Sequence, residues 1–119
     1  MIAEKNIRET ILNIVERIVR DYQPEKVILF GSFAYGAPGE DSDVDLLIVK
    51  DTDKSPLERW MEVKKILRGT ARELPVSPLV YTKNEIEERK GMKDFFIEEI
   101  FEKGIELAKK HKIPAGAMP

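Results

Sequence analysis

Two short apolar runs, KVILF at 26–30 and DVDLLIV at 43–49, constrain the fold more than any other feature of the sequence. Each run is bounded by turn residues: Gly31 directly follows the first, and the segment APGEDS precedes the second. Runs of this length and composition are typical of buried strands. We therefore expect the chain to be organised around a small sheet.

Amphipathic helices are predicted to alternate with these strands. Apolar residues recur at three- and four-residue steps over 4–22, which predicts a first helix that Pro24 ends. Ser55 is the expected N-cap of a second long helix, with Pro56 at its first helical position. Six residues are predicted to line this helix: Leu57, Trp60, Met61, Val63, Leu67 and Ala71.

The second half of the chain continues the alternation. VSPLVYT at 76–82 reads as a third strand, and Thr82 is expected to cap a further helix with Glu85 in a capping box. A last helix ends near Gly104, and GIELA at 104–108 is a candidate edge strand. The aromatic residues of the helices have core spacing, so packing is favoured over base stacking for Trp60, Phe95, Phe96 and Phe101.

The resulting fold class is α/β (α+β), with a small mixed sheet of three to four strands and helices packed on it. Residues 1–110 are expected to form one domain, and residues 111–119 a frayed tail. The net charge of −2 argues against general nucleic-acid binding. The lack of cysteine and of a long apolar run favours a cytoplasmic protein without a membrane span.

Two aspartates stand at the start of the second strand. Because side chains alternate along a strand, Asp43 and Asp45 are expected on one face, which Leu47 and Val49 continue as apolar. Neighbouring carboxylates at the edge of a core repel each other and lose hydration. No Lys or Arg lies between Gly31 and Val49 to compensate them. A magnesium ion would compensate the two negative charges, since Mg²⁺ prefers hard carboxylate and phosphate oxygens.

A Gly-Ser element supplies a complementary feature. Gly31 would let the backbone approach a ligand closely, and Ser32 can begin a single helical turn over 33–36. The Ser32 hydroxyl and the free amides of that turn would form a small anion site. A phosphate held beside paired carboxylates is what metal-assisted phosphoryl chemistry requires.

These residues carry a family resemblance. Gly31-Ser32, followed after ten residues by Asp43-x-Asp45, resembles the nucleotidyltransferase signature of the DNA polymerase beta superfamily. The size and the order of helices and strands are most similar to its minimal nucleotidyltransferase members. The segment FFIEEIFEKGIEL is similar to the closing segment of that family.

The resemblance implies transfer of a nucleoside monophosphate, AMP from ATP, to an acceptor hydroxyl with Mg²⁺ at a one- or two-metal site. Asp43 and Asp45 would be the catalytic residues and metal ligands. The implied phosphate-binding residues are Gly31, Ser32, Gly36 and Ser42, although capping of the local turn is an equal alternative for Ser42. The resemblance also implies an all-helical HEPN-domain toxin as partner and an antitoxin role. A homo-oligomer is compatible with the sequence.

One position departs from the family pattern. The third carboxylate expected on the third strand is replaced by Ser77, while Glu73 and Glu85 lie off that strand. Two hypotheses follow: a magnesium-dependent transferase, which we favour, or a non-catalytic antitoxin that neutralises its partner by contact. An aminoglycoside-modifying enzyme is disfavoured, because 119 residues leave no room for the extra substrate-binding region.

Overall fold

The computed structural model describes residues 4–36, 38–39, 41–68 and 74–110. These residues form five helices and four strands, and the fold is mixed α+β, as predicted. In chain order the elements are α1 (Glu4–Tyr22), β1 (Lys26–Phe30), α2 (Ser32–Tyr35), β2 (Val44–Val49), α3 (Pro56–Leu67), β3 (Val76–Tyr81), α4 (Lys83–Gly91), α5 (Phe95–Lys103) and β4 (Ile105–Lys109). The tail predicted over 111–119 lies outside the described residues.

The four strands form one mixed sheet in the order β3-β2-β1-β4. Strand β1 is antiparallel to both β2 and β4, whereas β2 and β3 are parallel and are joined through α3. The short edge strand expected at 104–108 is confirmed as β4. No helix within the described ranges is long and apolar enough to span a bilayer.

Each face of the sheet packs against its own helices. One core joins α1 and α3 to the sheet, and the second joins α4 and α5 to the opposite face. The predicted alternation along β2 is confirmed, since Leu46 and Ile48 enter the first core and Leu47 enters the second. Both faces of β2 are therefore buried, as its almost continuous apolar sequence indicates.

Two helix starts follow the predicted capping chemistry. The Ser55 hydroxyl accepts a hydrogen bond from the Glu58 backbone N–H, and Pro56 occupies the first position of α3. The Thr82 hydroxyl accepts from the Glu85 N–H, while the Glu85 carboxylate accepts from the Thr82 N–H at 2.8 Å. The capping box predicted for α4 is thus confirmed.

The packing predicted for the helical aromatic residues is wrong for Trp60 and Phe95, which are 44% and 76% exposed. Phe96 packs on one side only and is 50% exposed, whereas Phe101 packs against the second core as expected. Apolar spacing selects one face of a helix, but another element must cover that face before it is buried.

The buried face of α3 differs from the predicted one for the same reason. Its buried residues are Arg59, Val63 and Leu67, at four-residue steps. Leu57 and Met61 lie off this line and remain largely exposed. Val63 and Leu67 were correctly predicted to line the helix, and Ala71 lies outside the described residues.

Arg59 is the one buried charged side chain in the described part of the chain, at 5% exposure. Its guanidinium donates to the Glu85 carboxylate at 2.7 Å and to the Lys54 carbonyl at 2.8 Å. Burial alone would raise the pKa of Glu85, but hydrogen bonds from Thr82 and Arg59 outweigh it and hold that pKa below its usual value. This ion pair connects α3 to the start of α4.

We expect Glu85→Gln to lower the free energy of unfolding by about 1–2 kcal/mol at pH 7, because the buried guanidinium loses its charged acceptor. The folded-state pKa of Glu85 is depressed, so this stabilisation is complete above the unfolded-state pKa of about 4.3 and disappears as the pH falls through the folded-state pKa. Urea unfolding of wild type and variant from pH 7 to pH 3 measures it. The exposed Glu88→Gln is the control; a Glu85→Gln difference that stays constant with pH would contradict the assignment.

Candidate active site

The two aspartates flank the first residue of β2. Asp43 is exposed and directly precedes the strand, while Asp45 is half-buried and pairs with Phe30 of β1 across the sheet. Burial raises the pKa of the Asp45 carboxyl, and the negative charge of Asp43 raises it further. The two carboxylates are therefore close enough to repel each other, and no hydrogen bond or ion pair from another described residue compensates Asp45.

Gly31 lies directly against the Asp45 carboxylate. A Cβ atom at position 31 would overlap Asp45 Oδ2 and would lie only 3.1 Å from Asp45 Cγ. The backbone φ of Gly31, 74°, also falls in the left-handed region that favours glycine. Position 31 therefore requires glycine both for its backbone conformation and for the close approach of the carboxylate.

The predicted turn after Gly31 is present as α2, which is a single helical turn. The backbone amides of Ala34 and Tyr35 donate to the Gly31 carbonyl at 3.0 and 3.1 Å. The amides of Ser32 and Phe33 come before this first bonded turn, so neither has an intrahelical acceptor. Two backbone donors and the Ser32 hydroxyl are thus held next to the residue that contacts Asp45.

Gly36 and Ser42 have local structural contacts. Gly36 ends α2 with a left-handed φ of 83°, and its N–H donates to the Ser32 carbonyl. The Ser42 hydroxyl accepts from the Gly39 N–H at 2.8 Å and so closes the turn before β2. The hydroxyl proton of Ser42 is still able to donate to an anion.

Ser77 lies beside Asp45 in the sheet. The two residues are register partners in the parallel β2–β3 pair, and Ser77 is exposed. Glu85 is held instead by Thr82 and Arg59, and Glu73 lies outside the described residues. Within the described ranges no cluster of three metal-ligating side chains occurs. The structure thus brings together the carboxylates of Asp43 and Asp45 and the hydroxyl-bearing residue Ser77.

An aromatic pair beside the aspartates was not predicted. Phe30, the cross-strand partner of Asp45, packs edge to face against Phe96 at 5.7 Å between ring centroids. Phe96 keeps half of its surface exposed. The pair joins β1 to α5, so the only signal available in the sequence was the aromatic character of two residues far apart in the chain.

The chain belongs to the nucleotidyltransferase domain family, whose model matches residues 9–107. A "putative protein adenylyltransferase" of Methanocaldococcus jannaschii is 32% identical over 94 residues, which cover 78% of this chain and 87% of the relative. The crystal structure of a "putative nucleotidyltransferase" from Sulfolobus solfataricus matches with a TM-score of 0.52 and 26% identity, covering 67% of this chain and 70% of that one. Together these likenesses support nucleotidyltransferase activity.

We expect Gly31→Ala to destabilise the fold more than Gly36→Ala. Both substitutions place alanine at a positive φ, which costs about 1–2 kcal/mol, but only at position 31 would the new methyl group meet a neighbour. The overlap with Asp45 should add about 1–3 kcal/mol. Denaturant unfolding of both variants measures the difference.

A double-mutant cycle isolates the contact with Asp45. In the Asp45→Ala background the additional cost of Gly31→Ala should disappear, because the overlapping carboxylate is gone. Equal costs of Gly31→Ala in the two backgrounds would show that Asp45 is not the group that excludes a side chain at position 31.

Proposed function

We propose that this protein transfers AMP from ATP to a hydroxyl group on a protein acceptor, in a reaction that depends on Mg²⁺. One observation carries the proposal: Gly31, which directly precedes a single helical turn, lies against the carboxylate of Asp45, and Asp43 is close by. Family membership over residues 9–107 supports the reaction class. The name of the Methanocaldococcus jannaschii relative supports adenylyl transfer to a protein.

The donor set fits magnesium. Asp43 and Asp45 offer hard carboxylate oxygens, which Mg²⁺ binds together with phosphate oxygens and water. Burial raises the pKa of Asp45 and the charge of Asp43 raises it further, and a divalent cation would relieve both the lost hydration and the repulsion. When bound there, Mg²⁺ would supply charge neutralisation for the triphosphate and for departing pyrophosphate.

The chain itself would hold the triphosphate through α2. The Ser32 hydroxyl and the first amides of the turn would donate to phosphate oxygens, and the glycine at position 31 lets the start of this turn lie against the Asp45 carboxylate. The exposed part of Phe96 forms an apolar wall on the same side of the sheet. These groups orient the α-phosphate toward an incoming hydroxyl.

In the transfer step the acceptor oxygen forms a bond to the α-phosphorus, and the bond from that phosphorus to the bridging β-phosphate oxygen breaks. Pyrophosphate leaves with the electron pair of that bond, and the acceptor proton passes to water. We assign the proton to water because Ser77, the register partner of Asp45, occupies the position at which an acid would act as general base.

The acceptor that we propose is a tyrosine hydroxyl on a HEPN-domain partner, so that transfer silences a toxin. This assignment follows from the resemblance to minimal nucleotidyltransferases. The expected setting is the cytoplasm, where ATP and Mg²⁺ are available.

A second candidate is a non-catalytic binding module that neutralises the same partner by contact. Ser77 beside Asp45 favours this binding module, because the family pattern has a third carboxylate at that position. The described residues bring only the two aspartates together there. In cells, Asp43→Ala/Asp45→Ala should still neutralise the partner fully if contact suffices, and should fail to do so if transfer is required.

Intact-mass spectrometry tests the transferase directly. The chain is incubated with ATP, Mg²⁺ and a HEPN-domain protein encoded beside it, and the partner should gain whole AMP units. Asp45→Asn should lower the rate at least about 100-fold, since removal of one preorganised charge-stabilising group typically costs about 10²–10³-fold. Asp51→Asn, an exposed aspartate just after β2, is the matched control and should keep the wild-type rate. An unmodified partner would refute the transferase and leave the binder.

Ser77→Asp should raise the transfer rate by roughly tenfold or more, because it places an acid beside Asp45 and a positioned general base typically contributes about 10²–10⁴-fold. Ser77→Asn is the control for shape without charge and should give no increase. Single-turnover transfer at saturating Mg-ATP measures both variants. An unchanged rate for Ser77→Asp would show that proton removal does not limit the reaction.

A further inference from the structure

A cavity of about 520 Å³ lies at the other end of the sheet from the aspartates. It opens where β1 begins at Lys26 and β2 ends at Val49. Val49 lies four positions after Asp45, which corresponds to about 13 Å along the strand. Leu47 and Ile97 are fully buried in the core that lies on this face of β2. The cavity is therefore separate from the candidate active site.

Half of the residues that line this cavity are lysines. Five lysines come together from β1, α4, β4 and the residue after β4: Lys26, Lys83, Lys90, Lys109 and Lys110. Two glutamates, Glu25 and Glu87, also line it. The wall therefore has an excess of three positive charges, in a chain whose net charge is −2. Such a local concentration attracts anions.

Several of these lysines are held close to like charges. Lys26 and Lys109 are directly opposed across the β1–β4 pair, an arrangement that destabilises a sheet. The ammonium groups of Lys26 and Lys90 lie 5.6 and 4.3 Å from the centroid of the same Phe101 ring. Among the described residues Lys83 pairs with Glu25 at 3.5 Å, but Lys26, Lys90 and Lys109 form no ion pair.

We propose that this lysine cavity binds a small molecule that carries two or more linked phosphate groups. Such a ligand would neutralise several ammonium groups at once and would relieve the repulsion between Lys26 and Lys109. The volume lies within the range of nucleotide-sized sites. Val49, Ile86 and Phe101 provide the apolar part of the wall that such sites combine with polar groups.

This site does not depend on the proposed transfer reaction. The groups that would bind the ligand are ammonium groups, which need no metal ion, and the aspartates lie on the far side of the second core. Binding should therefore persist in Asp43→Asn/Asp45→Asn. Failure of the transferase and failure of the lysine cavity can then be told apart.

Inorganic triphosphate is the first probe, titrated into the full-length chain in metal-free buffer at low salt. Amide shifts in ¹H–¹⁵N NMR spectra should saturate and should cluster around Lys83, Lys90 and Lys109. Lys90→Gln/Lys109→Gln should weaken binding by about tenfold or more, since each lost phosphate contact is charge-assisted. The matched control is Lys65→Gln/Lys103→Gln, which removes the same charge from exposed positions outside the cavity and should leave affinity within about twofold.

Three results would overturn the proposal: a titration that does not saturate, an equal loss of affinity in the control variant, or amide shifts confined to the surroundings of Asp45. ATP in a parallel titration distinguishes a nucleotide from a free polyphosphate, and either one supports the site. A short single-stranded RNA is the competitor of another class. If RNA binds at the same lysines much more tightly than triphosphate does, the small-molecule proposal is wrong.

Discussion

The packing of β2 on both faces is the constraint on which the rest of the structure depends. Leu46 and Leu47 are consecutive and fully buried, yet they enter different cores. A shift of one residue in this strand would exchange the two faces and disrupt both cores. Asp45 directly precedes this pair, so its carboxylate is aimed by the same packing that holds the domain together. The position of the acid is thus set by the packing of a strand and not by a loop.

Much of this arrangement could be predicted, because its causes are local. The strands follow from short apolar runs, and two helix starts follow from the capping residues Ser55 and Thr82. The faces of β2 follow from simple alternation. Burial of individual helical residues could not be predicted in the same way. Trp60 and Phe95 have apolar character and suitable spacing, but no described element covers them. Arg59 is buried because of Glu85, a partner 26 positions away.

The candidate site could likewise be predicted only in part, where its causes are local in the sequence. The aspartate pair and the Gly-Ser turn were visible as a pattern with fixed spacing, and the register of β2 with β3 brings Ser77 beside Asp45. The contact between Gly31 and Asp45 was not visible, because it depends on how β1 and β2 pair. The lysine cavity was not visible at all, since its residues come from separate parts of the chain and meet only in the folded sheet.

The strand order has a consequence for how another protein could reach the aspartates. β3 is an edge strand, and Pro78 interrupts its row of backbone donors one residue after Ser77. Proline at a sheet margin discourages the addition of a foreign strand. A macromolecule approaching from this side would therefore be recognised through side chains and shape instead of through sheet extension. The same proline would also disfavour edge-to-edge aggregation at this strand.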